Sequence, residues 1–356
     1  MDGQIQTNRP TLLPDRYPEG DLFICDVTDA IPKDDLGTME HPLFSLATKA
    51  DTGQRHYEHN GITLTVTPSS LGLATIHDKD ILIYCISQLV AKLNNGKPTS
   101  RTLHLTARDL LVTTNRRTDG RGYEQLVSAF ERLSGTRIKT NLKTAGEEIS
   151  EGFGLIDSWR IVRQTKSGRM SELRVNLSDW IFNAINAREV LTISRDYFRL
   201  RKPLEKRMYE LARKHCGRRS EWKISLKLLQ KKTGSSSTLK EFRRLTRAIV
   251  KDDIANDHMP DYSIRLGLDS NGSSDMVTFV NRGTVPGSGV NSFASLIPPL
   301  DPDTYHRARL QCPGFDVYTL ERQWREAFAA VGAGPPRDPD AAFLGFCRRL
   351  TSNARA

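Results

Sequence analysis

Only five cysteines occur in 356 residues, and Cys25, Cys85, Cys216, Cys312 and Cys347 are scattered and odd in number. That spacing suggests neither a disulfide framework nor a zinc site, and it fits a reducing compartment, the cytoplasm. Long apolar runs are missing as well. The longest, Ile81 to Ile86, is six residues, against the roughly twenty that a membrane span needs. The first residues show no basic region followed by an apolar stretch, so no targeting signal is expected. No His-x-His pair occurs, which removes the metal-binding half of a DNA-nicking site; His56 and His59 lie in a polar stretch read as a loop. No Gly-x-x-x-x-Gly-Lys-Ser/Thr loop is present, so ATP hydrolysis is not expected. The pairs Asp301/Asp303 and Asp338/Asp340 each flank a proline, which suits turns and helix starts better than metal-dependent catalysis. Trp159, Trp180, Trp222 and Trp324 sit on apolar patterns and are expected in cores rather than under bases. The expectation is a chain without catalytic residues, metal or cofactor.

What is abundant is positive charge, and it is concentrated. Residues 199–251 hold eighteen Lys or Arg against Glu205, Glu210, Glu221 and Glu241, a local net charge of +14 in a chain whose total is +10. Lys and Arg that neutralise phosphates release condensed counterions, so such a stretch favours nucleic acid. A solvated helix face is the usual explanation of a short charge run, but eighteen bases around turn and hairpin signals exceed it. An anionic membrane would attract the same charge, yet no large apolar face accompanies it.

The pattern inside the stretch is ordered. Leu204 to Cys216 reads as a helix behind Pro203, and Ile224 to Lys232 as a short strand passing into a helix. After the turn-forming Gly234 to Ser237, the segment Thr238 to Ile254 spaces Leu239, Phe242, Leu245 and Ile249 as a packing stripe. Tyr262 to Leu268 and Met276 to Val280 alternate as a hairpin. Helix, strand, helix, turn, helix, hairpin is the order of a winged helix, whose helix after the turn enters the major groove. The candidate DNA contacts follow. Ser235, Ser236 and Thr238 offer hydroxyls and backbone N–H groups to phosphate; Lys231 and Lys232 offer charge; Lys240, Arg243, Arg244 and Arg247 project from the exposed helix face.

The same order is expected earlier in the chain. Ile62, Leu64 and Val66 alternate as a strand; Asp78 opens an apolar helix through Leu93; Arg101 to Leu105 is a strand; Thr106 caps a short helix; Tyr123 to Leu133 stripes another, with Arg116, Arg117 and Arg121 at its start. Thr136 to Lys143 and Ser158 to Gln164 are strand-like. The fold class expected is α+β: an irregular N-terminal arm over 1–59, a first winged-helix domain over 60–198, a second DNA-binding one over 199–282, a linker over 283–300, and a small helical partner-binding module over 301–356 that carries Trp324, Phe328, Phe343 and Phe346.

Four strings resemble the replication initiator protein A family of bacterial plasmids: Lys33-Asp34-Asp35; Met39 to Leu46 (MEHPLFSL); Thr75 to Tyr84 (TIHDKDILIY); and Tyr209 to Gly217 (YELARKHCG). The resemblance implies a sequence-specific binder of double-stranded DNA at a plasmid origin that helps open it and recruits host helicase or initiator proteins, and it leaves a homodimer open. The competing readings are a winged-helix transcriptional repressor without a replication role and, behind it, a nickase or primase.

Overall fold

The computed structural model describes residues 11–17, 32–59, 62–94, 97–140, 143–144, 147–148, 151–163, 170–269, 272, 275–285 and 300–312, and then 317, 320–321, 324–325, 328, 336 and 338–353. Most of the expected linker, 286–299, lies outside them, as do Leu22 to Ile24 and the hairpin-turn residues Ser270 and Asn271.

The chain opens with β1 (Lys33–Asp35), α1 (Leu36–Glu40), β2 (Arg55–His59), β3 (Ile62–Thr67), α2 (Lys79–Asn94), β4 (Thr102–Leu105), α3 (Ala107–Thr113) and α4 (Gly120–Gly135). Next come β5 (Arg137–Thr140), β6 (Lys143–Thr144), β7 (Glu147–Glu148), β8 (Glu151–Gly154), β9 (Ile156–Arg163), β10 (Met170–Leu177), α5 (Asp179–Asn186), β11 (Val190–Thr192) and a 3-10 turn over Arg195–Arg199. The basic stretch forms α6 (Pro203–His215), β12 (Glu221–Ser225), α7 (Leu226–Thr233) and α8 (Leu239–Asn256), followed by β13 (Tyr262–Leu268) and β14 (Asp275–Asn281). Helices α9 (Pro302–Gln311) and α10 (Pro339–Asn353) follow. This is an α+β architecture, and among the described residues no helix is long and apolar enough to cross a membrane.

One topology occurs twice. The run α2-β4-α3-α4-β9-β10 carries a three-stranded antiparallel sheet ordered β4-β10-β9, and α6-β12-α7-α8-β13-β14 carries one ordered β12-β14-β13. In both, the last strand sits in the middle. The first unit differs by an insertion between α4 and β9, in which β5 and β8 join the chain's early hairpin in a second sheet ordered β2-β3-β5-β8 while β6 and β7 pair with each other. His56 therefore lies on strand β2, bonded to Thr65 Oγ1 at 2.9 Å, and not in a loop. The polar residues that precede it suggested a loop; the strand forms because β3 pairs with it from Arg55 to His59.

Local signals account for the helix boundaries. Thr106, Asp119, Ser225 and Thr238 each accept the backbone N–H three residues on, satisfying donors that a helix start leaves unpaired. Pro203 supplies the fixed φ that the first turn of α6 uses. Gly122 is needed for space, since a Cβ there would lie 1.9 Å from the Arg117 carbonyl oxygen.

Among the described residues three apolar clusters form. One lies among α2–α5 and the first unit's sheets, a second among α6–α8 and the second unit's sheet, and a small third one unites Leu320 and Trp324 with α9 and α10. The tryptophans pack as cluster residues: Trp159 on Phe130, Trp180 on Phe153, Trp222 on Phe279 and Trp324 on Phe343, with centroids 5.2–5.7 Å apart.

Helix α2 is buried all round from Lys79 to Val90, because the first cluster takes Leu82 and Tyr84 while the second takes Ile83. Two of its charges are buried with it. Lys79 Nζ lies 2.7 Å from Asp34 on β1 and 3.0 Å from Glu210 on α6, and Lys206 of α6 donates to both Asp80 oxygens at 2.7 and 2.9 Å. Glu210 also accepts from Arg207 at 2.9 Å and from the Tyr197 hydroxyl at 2.7 Å, and Lys206 stands over the Tyr197 ring. Three of the four strings that carry the family resemblance supply Asp34, Lys79, Asp80 and Glu210. They build the junction between the two units.

This junction makes stability depend on pH. Burial and nearby cations, Lys206 foremost for His77, lower His41 and His77 from 6.5 to about 4, while burial raises Asp34 to about 8 against the pull of Lys79. A histidine with a lowered folded pKa contributes stability that is present above 6.5 and lost as pH falls through 4, at about 1.4 kcal/mol per pH unit for each group. Asp34 has the opposite sign: its contribution is present below 3.8 and is lost as pH rises through 8. The urea midpoint should therefore peak near neutrality and fall on both sides. His77→Asn should flatten the acid limb, and Asp34→Asn the limb above neutrality.

Candidate nucleic-acid interface

The basic stretch divides into two populations. Arg201, Lys202, Arg219, Lys223, Lys227, Lys231, Lys240, Arg244, Arg247 and Lys251 are exposed; the other eight are half-buried or buried. The second group is used internally. Arg207 donates to the carbonyls of Thr38, Met39, Glu40 and Lys232 at 2.9–3.1 Å, and Arg213 to the carbonyl of Thr192 at 2.6 Å. Lys214, His215 and Lys232 converge on Glu40. Burial alone would raise the Glu40 carboxyl, but the hydrogen bond from His215 and the surrounding cations outweigh it and hold it far below the usual carboxylate range. The second group is thus held by Glu40, Asp80, Asp196, Glu210, Asp275 and Glu321 and by backbone carbonyls.

The exposed population concentrates on one side of α7 and α8. Phe242, Thr246, Ile249, Val250 and Asp253 bury one face of α8, which leaves Lys240, Arg244, Arg247 and Lys251 along the other. Leu239, expected to pack, is 36% exposed at the helix start. Lys227 and Lys231, four apart on α7, continue the cationic surface. Lys227 was absent from the candidates drawn from sequence, although helical spacing from Lys231 marks it. Arg265 was absent too; the alternation of β13 places it outside while Ile264 packs inside.

The remaining candidates are placed as follows. Arg243 pairs with Asp275 at the start of β14 and so ties the hairpin to α8. Arg244 forms two hydrogen bonds with Glu241, at 2.7 and 2.8 Å, both partners exposed. Exposed pairs of this kind contribute little and are readily exchanged for another anion. Lys231 is exposed, whereas Lys232 is held by Glu40 and directed inward. Ser235 and Ser237 bond each other through their hydroxyls at 2.8 Å, Ser236 is exposed, and the Thr238 hydroxyl caps α8. In the first unit Arg121 is exposed at the start of α4 and Arg117 pairs with Asp119. Arg116 turns inward, donating to the His77 carbonyl and lying 3.8 Å from Asp80.

The far end of the hairpin's support is a buried carboxylate. Asp253 accepts from the backbone N–H groups of Met259 and Ile264 at 2.7 and 2.8 Å and from Arg282 at 3.0 Å, joining the last turn of α8 to both strands. Together with Arg243–Asp275, it ties α8 to the hairpin at two separate points, beside the exposed cations of the helix.

The sequence profile of the family described as replication initiator protein A matches residues 33–264, from β1 into β13. A putative replication protein of Wigglesworthia glossinidia brevipalpis is 39% identical over 267 residues, covering 74% of this chain and 94% of that protein. Two crystal structures containing domains 2 and 3 of RctB align at 13% identity over 69% of this chain, covering 97% and 96% of theirs with TM-scores of 0.47 and 0.48.

Proposed function

The chain belongs to the replication initiator protein A family, and from that premise we propose that it initiates plasmid replication by binding origin duplex DNA sequence-specifically. The two α-β-α-α-β-β units are read as winged helices. Helix α8 enters the major groove; Lys227 and Lys231 of α7 meet flanking phosphates; the first unit extends the footprint through Arg117 and Arg121. The observation that carries the proposal is the exposed stripe Lys240, Arg244, Arg247 and Lys251 on a helix whose opposite face is buried and whose hairpin is fixed beside it. Several bound copies strain the duplex and favour opening of a nearby A·T-rich segment, since deformation energy depends on sequence. The protein acts without catalysing a covalent step, a dimer form is compatible with the proposal, and its compartment is the cytoplasm.

The C-terminal helices are assigned to host helicase or initiator proteins. They have their own small core, and among the described residues Arg218 of the second unit donates to the buried Glu321 at 2.7 Å, where Tyr305 and Arg325 also donate. A plasmid carrying only this gene and its flanking DNA should replicate. Deleting residues 301–356 should leave origin binding in an anisotropy titration nearly intact and abolish that replication. Loss of DNA binding and thermal stability together would make the helices part of the binding fold instead.

A further inference from the structure

The turn that delivers α8 is held by the first unit. Gly234 ends α7 in the left-handed region, at φ 72°, and is buried. Its carbonyl oxygen accepts from Arg55 Nη1 at 3.0 Å and from the Tyr57 hydroxyl at 3.2 Å, both on strand β2. Arg55 is itself fixed: its other terminal nitrogen pairs with Asp51 and lies 3.3 Å from Ser45 Oγ, which donates to Asp51 at 2.7 Å. The approach leaves no room for a side chain, since a Cβ on Gly234 would stand 2.6 Å from Pro42 Cβ and 2.7 Å from the Tyr57 hydroxyl.

We infer that Arg55 and Tyr57 are positioning residues that lock the α7–α8 turn, and through it α8, to the first unit, so that the two basic surfaces engage DNA as one rigid body. The inference rests on the DNA-binding proposal and goes beyond it. The α2–α6 ion pairs and the contacts of α1 with Arg207, Lys214, His215 and Lys232 attach the second unit through α6 and the end of α7. The attachment at the turn acts on the entry to α8 itself and fixes its angle. Among the described residues the Gly234 carbonyl is held by Arg55 and Tyr57 and by no charge of the stripe. When two surfaces are rigidly linked, the second binding step is intramolecular only for sites at the matching spacing, and the gain is lost when geometry forbids both.

Two measurements test this. The first needs no DNA: nitroxides at Glu131→Cys on α4 and Lys251→Cys on α8 report the separation of the units by pulsed dipolar spectroscopy, with the parent chain checked for labelling of its native thiols. A single narrow distance distribution is expected, broadened or split by Arg55→Ala with Tyr57→Phe. An unchanged narrow distribution overturns the inference. Tyr57→Phe alone removes one hydroxyl and should give a smaller broadening, which keeps the test usable if the double variant folds poorly. The second uses the DNA site found by footprinting, with about 5 base pairs, half a helical turn, inserted between the parts protected by the two units. The wild type should lose roughly 100-fold in affinity, and the double variant markedly less while binding nonspecific duplex as before. Equal losses in both proteins, or none in the wild type, overturn the inference. Failure of the wild type to select any site sinks the DNA-binding proposal, and the spin-label distances then decide the rigid link by themselves.

Discussion

Asp80→Ala should destabilise the chain by about 3–5 kcal/mol, because it leaves the Lys206 ammonium buried without its counter-ion. Lys206 is 1% exposed, its nearest anion is Asp80, and Arg116 stands 3.8 Å from the same carboxylate. Removing Asp80 therefore strands two cations, whereas Lys206→Met leaves Asp80 with Arg116 still near. The order expected in urea unfolding at pH 7 is Asp80→Ala well below Lys206→Met, with Asp80→Leu plus Lys206→Met recovering most of the loss, since an apolar pair of similar volume often replaces a buried ion pair at little cost. The pair joins α2 of the first unit to α6 of the second, so Asp80→Ala should also uncouple them. The fluorescence of Trp159 and Trp180 and that of Trp222 would then report separate transitions. A single transition at the wild-type midpoint would show that the buried charges do not hold the junction.

Arg244→Ala and Arg247→Ala should each relax sequence discrimination at one base pair of the site by roughly 5- to 150-fold, the range for an arginine held bidentate on a guanine edge. These two are chosen over Arg243, whose guanidinium is committed to Asp275 and whose loss should loosen the hairpin. Lys231→Ala should instead weaken all duplexes by a similar factor, as loss of a phosphate contact does. Lys232→Ala should act on stability and not on DNA, because that side chain neutralises Glu40 in company with Lys214 and His215. Binding measured against a set of single-base variants of the site separates these outcomes. If Arg244→Ala and Arg247→Ala lowered affinity for every sequence equally, α8 would grip the backbone only, and base reading would pass to Arg121 and Gln125 of the first unit.

The elements of the second unit were legible because each carries a local signal: Pro203 and Thr238 at helix starts, Gly234 after α7, and clean alternation in β13 and β14. The partners of its charges were not. Nothing local to α6 says that Lys206, Arg207 and Arg213 face inward, since their acids and carbonyls come from residues 38–40, 80, 192 and 232 as well as from Glu210 of α6 itself. Charge density along the sequence therefore overstated the cationic surface by almost half. Strand β1 and the short helix α1 were hidden because Asp34, Asp35 and Thr38 are polar, with no apolar period, and are buried on hydrogen bonds: Asp34 with the distant Lys79, and Asp35 and Thr38 with each other. Among the described positions of α9 Thr304 and Ala308 are buried, and a threonine with an alanine is too weak a stripe to be recognised.

The measurement that bears most directly on the central claim is the salt dependence of duplex binding by the full chain. Six exposed cations, Lys227, Lys231, Lys240, Arg244, Arg247 and Lys251, line α7 and α8. If each displaces a counterion from B-DNA, log affinity should fall against log salt with a slope of about −5. Nonspecific duplex should show much of that slope at weaker affinity, and Lys231→Ala should flatten it by about one. A slope near −1 for the wild type, on origin and random DNA alike, would contradict the claim that this surface binds nucleic acid.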